Sequence, residues 1–310
     1  MTTATISEPQ RQVKQFLKDG YLVVPDVLSQ EQVSWLRSFF RSKFDIPPGQ
    51  PLAQNDDWPY LLDIWSSYPE VRWLLFHEPV LRLLKELLGD DLILLPESNV
   101  CLNAFTPNHK DAIPEEVRHG IWPWSKDFRI AGLGGAWPWD QDYLMIALCY
   151  YMQDNTEEYG GGVDVEPGSH LASDFWGYEA PRSLASRISG RIRRIGKRRN
   201  GHKEQPQKER VIDGRHMISL PTKAVDLVLL DMRINHRGTI PRVTVLPEDR
   251  EKVSILYGFS RNTRHFQIRL DYVHKRDKRF NPKGLAYPAD LVQEAKARGI
   301  SLGKDRLGRV

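Results

Sequence analysis

Apolar positions recur at helical spacing in the first ninety residues and at strand spacing after that. In QRQVKQFLKDG, Val13, Phe16 and Leu17 mark one helical face, and Gly20 is a natural stop. YLVVPDVL, from Tyr21, reads as a short strand with a turn proline. SQEQVSWLRSFFRSKF predicts a helix with Ser29 as N-cap and Gln32 three residues on, the pattern of a capping box. A polar, proline-rich stretch covers residues 46–58, and PVLRLLKELLG then predicts an amphipathic helix with Pro79 in its first turn and Gly89 at its end. From residue 91 the pattern changes to short apolar runs between turn residues: DLILL, NVCLNAF, YLMIALCYYM, GGVDVEPGS, HMISLP, AVDLVLLDM and KVSILYGFS. Many short β-branched or alternating runs predict an all-β sandwich or barrel behind a helical N-terminal layer. The expected organisation is a single domain, 1–310, with a helical layer over about 10–90, a β core over about 91–270 and a C-terminal extension 271–310. Two insertions break the strand series, residues 112–140 and 171–215, and long loops in a compact domain are commonly functional.

Composition narrows the class. The 310 residues are 40% hydrophobic and 27% charged, ordinary for a globular protein. No apolar run is long enough to span a membrane, and MTTATISEPQRQ lacks a signal-peptide pattern. Cys101 and Cys149 sit in apolar runs as expected free, buried thiols, so the expected location is cytoplasmic. The net charge is +4, yet residues 182–210 alone carry +9, so the rest of the chain sums to −5. Basicity this local argues against a nucleic-acid-binding protein, and the cluster has no interleaved aromatics for base stacking. No glycine-rich loop joins a strand to a helix, which removes the phosphate-cradling folds.

The chemistry resides in three places. His109-Lys110-Asp111 follows the strand-like NVCLNAF, and His236 follows the apolar run of AVDLVLLDM. Two imidazoles and one carboxylate on one side of a metal are the ligand set of non-haem Fe(II) oxygenases. A 2-oxo acid co-substrate would need a cation for its far carboxylate. Arg250 stands just before KVSILYGF, and in a strand Lys252 and Ser254 would share its face.

The sequence resembles the phytanoyl-CoA dioxygenase family. FLKDGYLVVPDVLSQEQVSWLR is similar to its opening helix-strand-helix, and PVLRLLKELLGDDLIL to its next helix and strand. YYMQDNTEEYGGGVDVEPGSH resembles its stretch ending in Pro-Gly-Ser-His, and DLVLLDMRINHRG its distal-histidine segment. The likeness covers residues 12–260 in patches. It implies a double-stranded β-helix (a cupin-like jelly roll), with Fe(II) on His109, Asp111 and His236. It also implies 2-oxoglutarate on Arg250 with Lys252 and Ser254, and O2 as oxidant. The implied reaction is hydroxylation of a small organic or natural-product substrate with release of succinate and CO2. A carboxylate at 111 points away from the halogenases, in which Gly or Ala opens a halide site.

Two departures keep alternatives open. Trp139-Asp140-Gln141-Asp142 resembles the family's Trp-His-Gln-Asp with Asp for His, so Asp140 and Asp142 rival His109 and Asp111. A link lengthened by VTVLPE leaves Arg242 and Lys252 as alternatives to Arg250. His170 in Pro-Gly-Ser-His is expected to be structural, and His119, His202, His216 and His265 to be surface or loop residues. Trp122, Trp124, Phe128, Trp137 and Trp139 would wall an apolar substrate pocket or simply pack. The basic loop 182–210 is expected to be solvated, or to draw in an acidic or carrier-bound small molecule. The same scaffold could support desaturation or cyclisation, or serve as a non-catalytic jelly-roll binding module using that loop.

Overall fold

In the computed structural model the described residues are 8–47, 59–103, 145–171, 210–212, 215–239, 241–243, 245–263, 265–267, 269–270 and 287–303. The chain begins with α1 (Glu8–Asp19), β1 (Tyr21–Val24) and α2 (Gln30–Arg41). Gly20 ends α1 at a positive φ of 79°, and a Cβ there would collide with the His170 imidazole. The capping box on α2 is complete: Gln32 N–H donates to Ser29 Oγ at 3.2 Å, and Ser29 N–H to Gln32 Oε1 at 2.8 Å. Short elements follow: β2 (Tyr60–Leu62), α3 (Ile64–Ser67), a 3-10 turn and α4 (Arg72–Leu75). The amphipathic helix expected around Pro79 is α5 (Glu78–Leu88), stopped at Gly89 with φ 86°.

The strands after it are β3 (Ile93–Leu102), β4 (Met145–Tyr151), β5 (Val163–Val165), β6 (Arg210–Ile212), β7 (Arg215–Ser219), β8 (Leu227–Asp231), β9 (His236–Gly238) and β10 (Val253–Ser260). They form two sheets, a larger one in the order β1-β8-β4-β10-β3 with β2 also on β3, and a smaller one in the order β6-β7-β5-β9. DLILL and NVCLNAF, two runs in the sequence, are one strand. Pro96 cannot donate to the ladder, and the register slips there: Tyr257 faces Ser98 but Phe259 faces Leu94. Gly258 permits the slip, since a Cβ would stand 2.8 Å from Leu95 Cδ1 and 2.9 Å from Ile146 O.

The alternation along each strand separates two cores. Val253, Ile255, Tyr257 and Phe259 of β10 pack with Phe16, Leu36, Phe40 and Trp65 of the helical layer. Ile93 and Leu95 of β3, Met145, Ala147 and Cys149 of β4, and Val228 and Leu230 of β8 face the smaller sheet, meeting Val163 and Val165 of β5. One face of the large sheet is therefore the floor of a jelly roll and the other is plated with helices. The C-terminal stretch joins this core. α6 (Ala289–Ala297) buries Leu291 and Ala295, and β11 (Ser301–Leu302) adds to β3 in parallel.

Candidate functional site: the interior between the two sheets

His236 opens β9 and pairs with Val165 of β5. Directly paired residues in a ladder point to the same face, and Val165 is buried between the sheets, so His236 faces the jelly-roll interior. Its Nδ1 lies 3.1 Å from Ile234 O. A carbonyl only accepts, so Nδ1 carries a proton, the arrangement of a metal-ligating imidazole steadied by a backbone carbonyl, in which Nε2 is the metal-binding nitrogen. The residue before it is held firmly. Asn235 N–H donates to Ser169 Oγ at 2.8 Å, and Asn235 O accepts from Glu166 N–H at 3.0 Å. The Pro-Gly-Ser-His turn thus sets the entry of β9. His170 itself is buried against Leu17 O at 3.0 Å, as a structural histidine should be.

Lys252 and Ser254 lie on the inner side of the opposite sheet. Ser254 pairs with Cys101 of β3 and Tyr151 of β4, and both lysine and serine are buried. The Lys252 side chain crosses the interior: Nζ donates to Gly162 O, just before β5, at 2.9 Å, and lies 5.1 Å from the Tyr151 ring centre. Full burial lowers its pKa to about 8, opposed by the nearby Cys101, Asp164 and Cys149. Burial pushes the Cys101 thiol up to about 12, with Lys252 acting against it. Both cysteines are free and buried, as expected.

Arg250 stands apart from these two. The expectation that 250, 252 and 254 share a strand face holds for Lys252 and Ser254 only. Arg250 ends a 3-10 turn, Glu248–Arg250, and β10 starts at Val253. Pro247 opens that turn, and Arg37 of α2 holds it by donating to Glu248 O and, at 2.8 Å, to Glu251 O. The Arg250 side chain is 38% exposed, paired with Asp249 at 3.3 Å and 5.8 Å from the Tyr159 ring centre. Arg242 is also half-exposed and ion-paired with Glu157. Arg237, one residue on from His236 and so on the other face of β9, is bound to Asp164 at 3.1 Å, and Thr239 donates to the same carboxylate at 2.8 Å.

His109, Asp111, Asp140, Asp142, the aromatic loop and nearly all of the basic loop 182–210 lie outside the described residues, as do His119, His202 and the His216 side chain. His265, expected to be a surface or loop residue, is 1% exposed, drawn in beside Phe266 and Leu270, which pack into the inter-sheet core. Among the described residues no group of three or more His, Cys, Asp or Glu could hold a metal, and no helix is long and apolar enough to cross a membrane. Sequence reasoning missed the support behind Lys252, which comes from Arg37, Arg41, Asn103, Gln153 and Glu251. One signal was available: Arg37 and Arg41 are one turn apart on α2, so they share a face.

Two facing antiparallel sheets, with a histidine opening the strand after β8 and a buried lysine opposite, define the class: a double-stranded β-helix. The sequence model of the phytanoyl-CoA dioxygenase family matches residues 16–239, and the chain belongs to that family of Fe(II)- and 2-oxoglutarate-dependent, O2-using enzymes. Solved structures agree on the fold. SnoN, titled a non-haem alpha-ketoglutarate-dependent epimerase from nogalamycin biosynthesis, is 19% identical over 82% of this chain and 84% of its own, with a TM-score of 0.51. SnoN in complex with Fe3+, alpha-ketoglutarate and nogalamycin RO aligns with a TM-score of 0.52, at 18% identity over 82% and 84%. EctD from S. alaskensis with bound Fe is 16% identical over 84% of this chain and 79% of its own, with a TM-score of 0.51. No curated protein matches the chain.

Proposed function

We propose that this oxygenase hydroxylates a small organic or natural-product substrate, consuming O2 and 2-oxoglutarate and releasing succinate and CO2. The observation that carries the proposal is the placement of His236 and Lys252, which enter one interior from opposing sheets. The residues suit the cofactors. His236 turns Nδ1 to a backbone carbonyl, which would make Nε2 its iron-binding nitrogen, and Lys252 supplies a buried cation for the distal carboxylate of 2-oxoglutarate, with the Ser254 hydroxyl on the same face. Bound iron supplies the activation of O2, coupled to oxidative decarboxylation of the co-substrate. The chain's own part is to orient the co-substrate and keep water out, and the apolar inner faces of β3, β4 and β8 serve that second role. Arg250 is the alternative anchor; to reach the interior it must leave Asp249 and Tyr159.

For the other two iron ligands the proposal takes His109 and Asp111, an imidazole and a carboxylate. Chain reach favours a second reading, Asp140 and Asp142. Met145 O accepts from Met232 N–H at 3.1 Å, at the sheet end from which the chain passes into His236. Asp142 is three residues before Met145, at most about 10 Å of chain. Asn103, six residues before His109, is bonded to Lys252 at the far end of β10. Iron content and succinate yield of His109→Ala and Asp140→Ala separate the two pairs, because only the true ligand's loss removes both.

Product mass separates the reaction types: hydroxylation adds one oxygen, whereas desaturation or cyclisation removes two hydrogens. The substrate side of the proposal keeps an acidic or carrier-bound small molecule drawn by the basic loop 182–210, and a cytoplasmic location. A non-catalytic binding module would show no Fe(II)-dependent succinate with any substrate tried.

A further inference from the structure

Two side-chain amides, Asn103 and Gln153, hydrogen-bond the backbone at Lys252 and at the residue after it. Asn103 ends β3 in the left-handed region, with φ 50°. From there its N–H donates to Lys252 O at 2.7 Å, and its Oδ1 accepts from Lys252 N–H at 2.8 Å. On the other side of β10, Gln153 follows the end of β4 and is 4% exposed. Its Oε1 accepts from Val253 N–H at 2.8 Å, and its Nε2 donates to Gly161 O at 2.5 Å. Gly161 precedes Gly162, whose carbonyl receives the Lys252 ammonium. Gln153 therefore ties both the root of the lysine and the landing point of its tip. Behind them, Glu251 is 2% exposed, paired with Arg41 of α2 at 2.7 Å, and accepts from Asn103 Nδ2 at 3.5 Å.

Ordinary strand pairing needs none of this. A lysine side chain has four flexible bonds, so a buried ammonium has a defined position only if its backbone and its acceptor are both fixed. The two amides lie on either side of the same corner; the Gln153 bonds are buried and the Asn103 bonds part-buried, where a hydrogen bond is strengthened and its loss is costly.

We propose that Asn103 and Gln153 form an amide clasp that positions the Lys252 ammonium for the co-substrate carboxylate, with the Arg41–Glu251 pair of α2 bracing it from behind. This rests on Lys252 as the 2-oxoglutarate anchor. The clasp makes them positioning residues: neither touches the reacting atoms, and both act through Lys252.

The test uses the full chain with Asn103→Gly, which keeps the left-handed backbone, and Gln153→Met, which keeps the volume. The first readout is titration of 2-oxoglutarate into Mn(II)-loaded protein without oxygen. The second is the rate of Lys252 labelling by an amine-reactive reagent, followed by mass spectrometry. Each variant should bind 2-oxoglutarate about tenfold more weakly, the loss expected for one buried hydrogen bond to the anchor, and label Lys252 faster. Arg11→Lys, at an exposed residue of α1, should stay near the wild type in both. Variants that melt earlier while affinity and labelling stay at the wild-type level would reduce the clasp to fold support and overturn the proposal. If the wild type takes up no 2-oxoglutarate, the functional reading fails, and the labelling rates still decide whether the clasp positions the lysine.

Discussion

The proposed anchoring of 2-oxoglutarate on a buried lysine would make co-substrate affinity depend on pH in a range where an arginine would not. In the ligand-free protein burial lowers the Lys252 pKa to about 8. Groups facing the ammonium come from three directions: Cys101 on β3, Cys149 and Tyr151 on β4, and Gly162 O with Asp164 at β5. Only the protonated form can pair with a carboxylate. At pH 7 about nine-tenths of Lys252 is charged, and each pH unit above 8 reduces that fraction about tenfold. The affinity for 2-oxoglutarate should therefore be level up to about pH 7.5 and fall about tenfold between pH 8.5 and 9.5. Lys252→Arg, if it binds, should abolish the decline, because the guanidinium stays charged throughout. Lys252→Met should bind ten- to a hundredfold more weakly at pH 7, the range for a charged hydrogen bond of about 1.5–3 kcal/mol. Anaerobic calorimetry with Mn(II) reads all three. A wild-type affinity that is flat from pH 7 to 10, or a Lys252→Met protein that binds normally, refutes the anchor. The same shift has an opposite signature in stability. Because the folded pKa lies below the ordinary lysine value, the unfolded chain holds a proton between about pH 8 and 10.5 that the folded protein has released. Stability of the ligand-free protein should rise with pH across that window, by roughly 3 kcal/mol from this group alone.

Other consequences follow from the same geometry. Glu251→Gln leaves the largely buried Arg41 without its charge partner and should cost about 3 kcal/mol in urea unfolding. Phe259→Ala, at a fully buried ring in the helix-facing core, should cost about 3–5 kcal/mol and lower the melting temperature accordingly. Gly162→Ala would place a Cβ 2.6 Å from Asn155 Cγ, moving the carbonyl that Lys252 meets; weaker 2-oxoglutarate binding should exceed any loss of melting temperature.

The elements legible in the sequence are those whose signals are local. The capping box at Ser29, the glycine stops at Gly20 and Gly89, and the apolar runs of β4, β8 and β10 all rest on residues within a few positions of each other. His236 was legible because a buried run ends just before it, and Lys252 with Ser254 because strand alternation puts them on one face. What escaped depends on distant partners. Arg250 leaves the strand because Arg37, more than two hundred residues away, grips its turn. Asn103 meets Lys252 across 149 positions, and no periodicity reports that pairing. His265 carries no local mark of burial; it follows from where Phe266 and Leu270 must pack. β9 is three residues long, too short to show a period, and β11 is found only by its docking on β3.

The proposed iron site on His236, in the interior between the two sheets, would consume 2-oxoglutarate. The most direct measurement is succinate released from 2-oxoglutarate under air, with and without Fe(II), for the wild type and for His236→Ala at matched melting temperature. The wild type should release succinate in an Fe(II)-dependent manner, and His236→Ala should lose a hundredfold or more of that release together with its bound iron. Equal succinate release and iron content in the two proteins would contradict the proposed site.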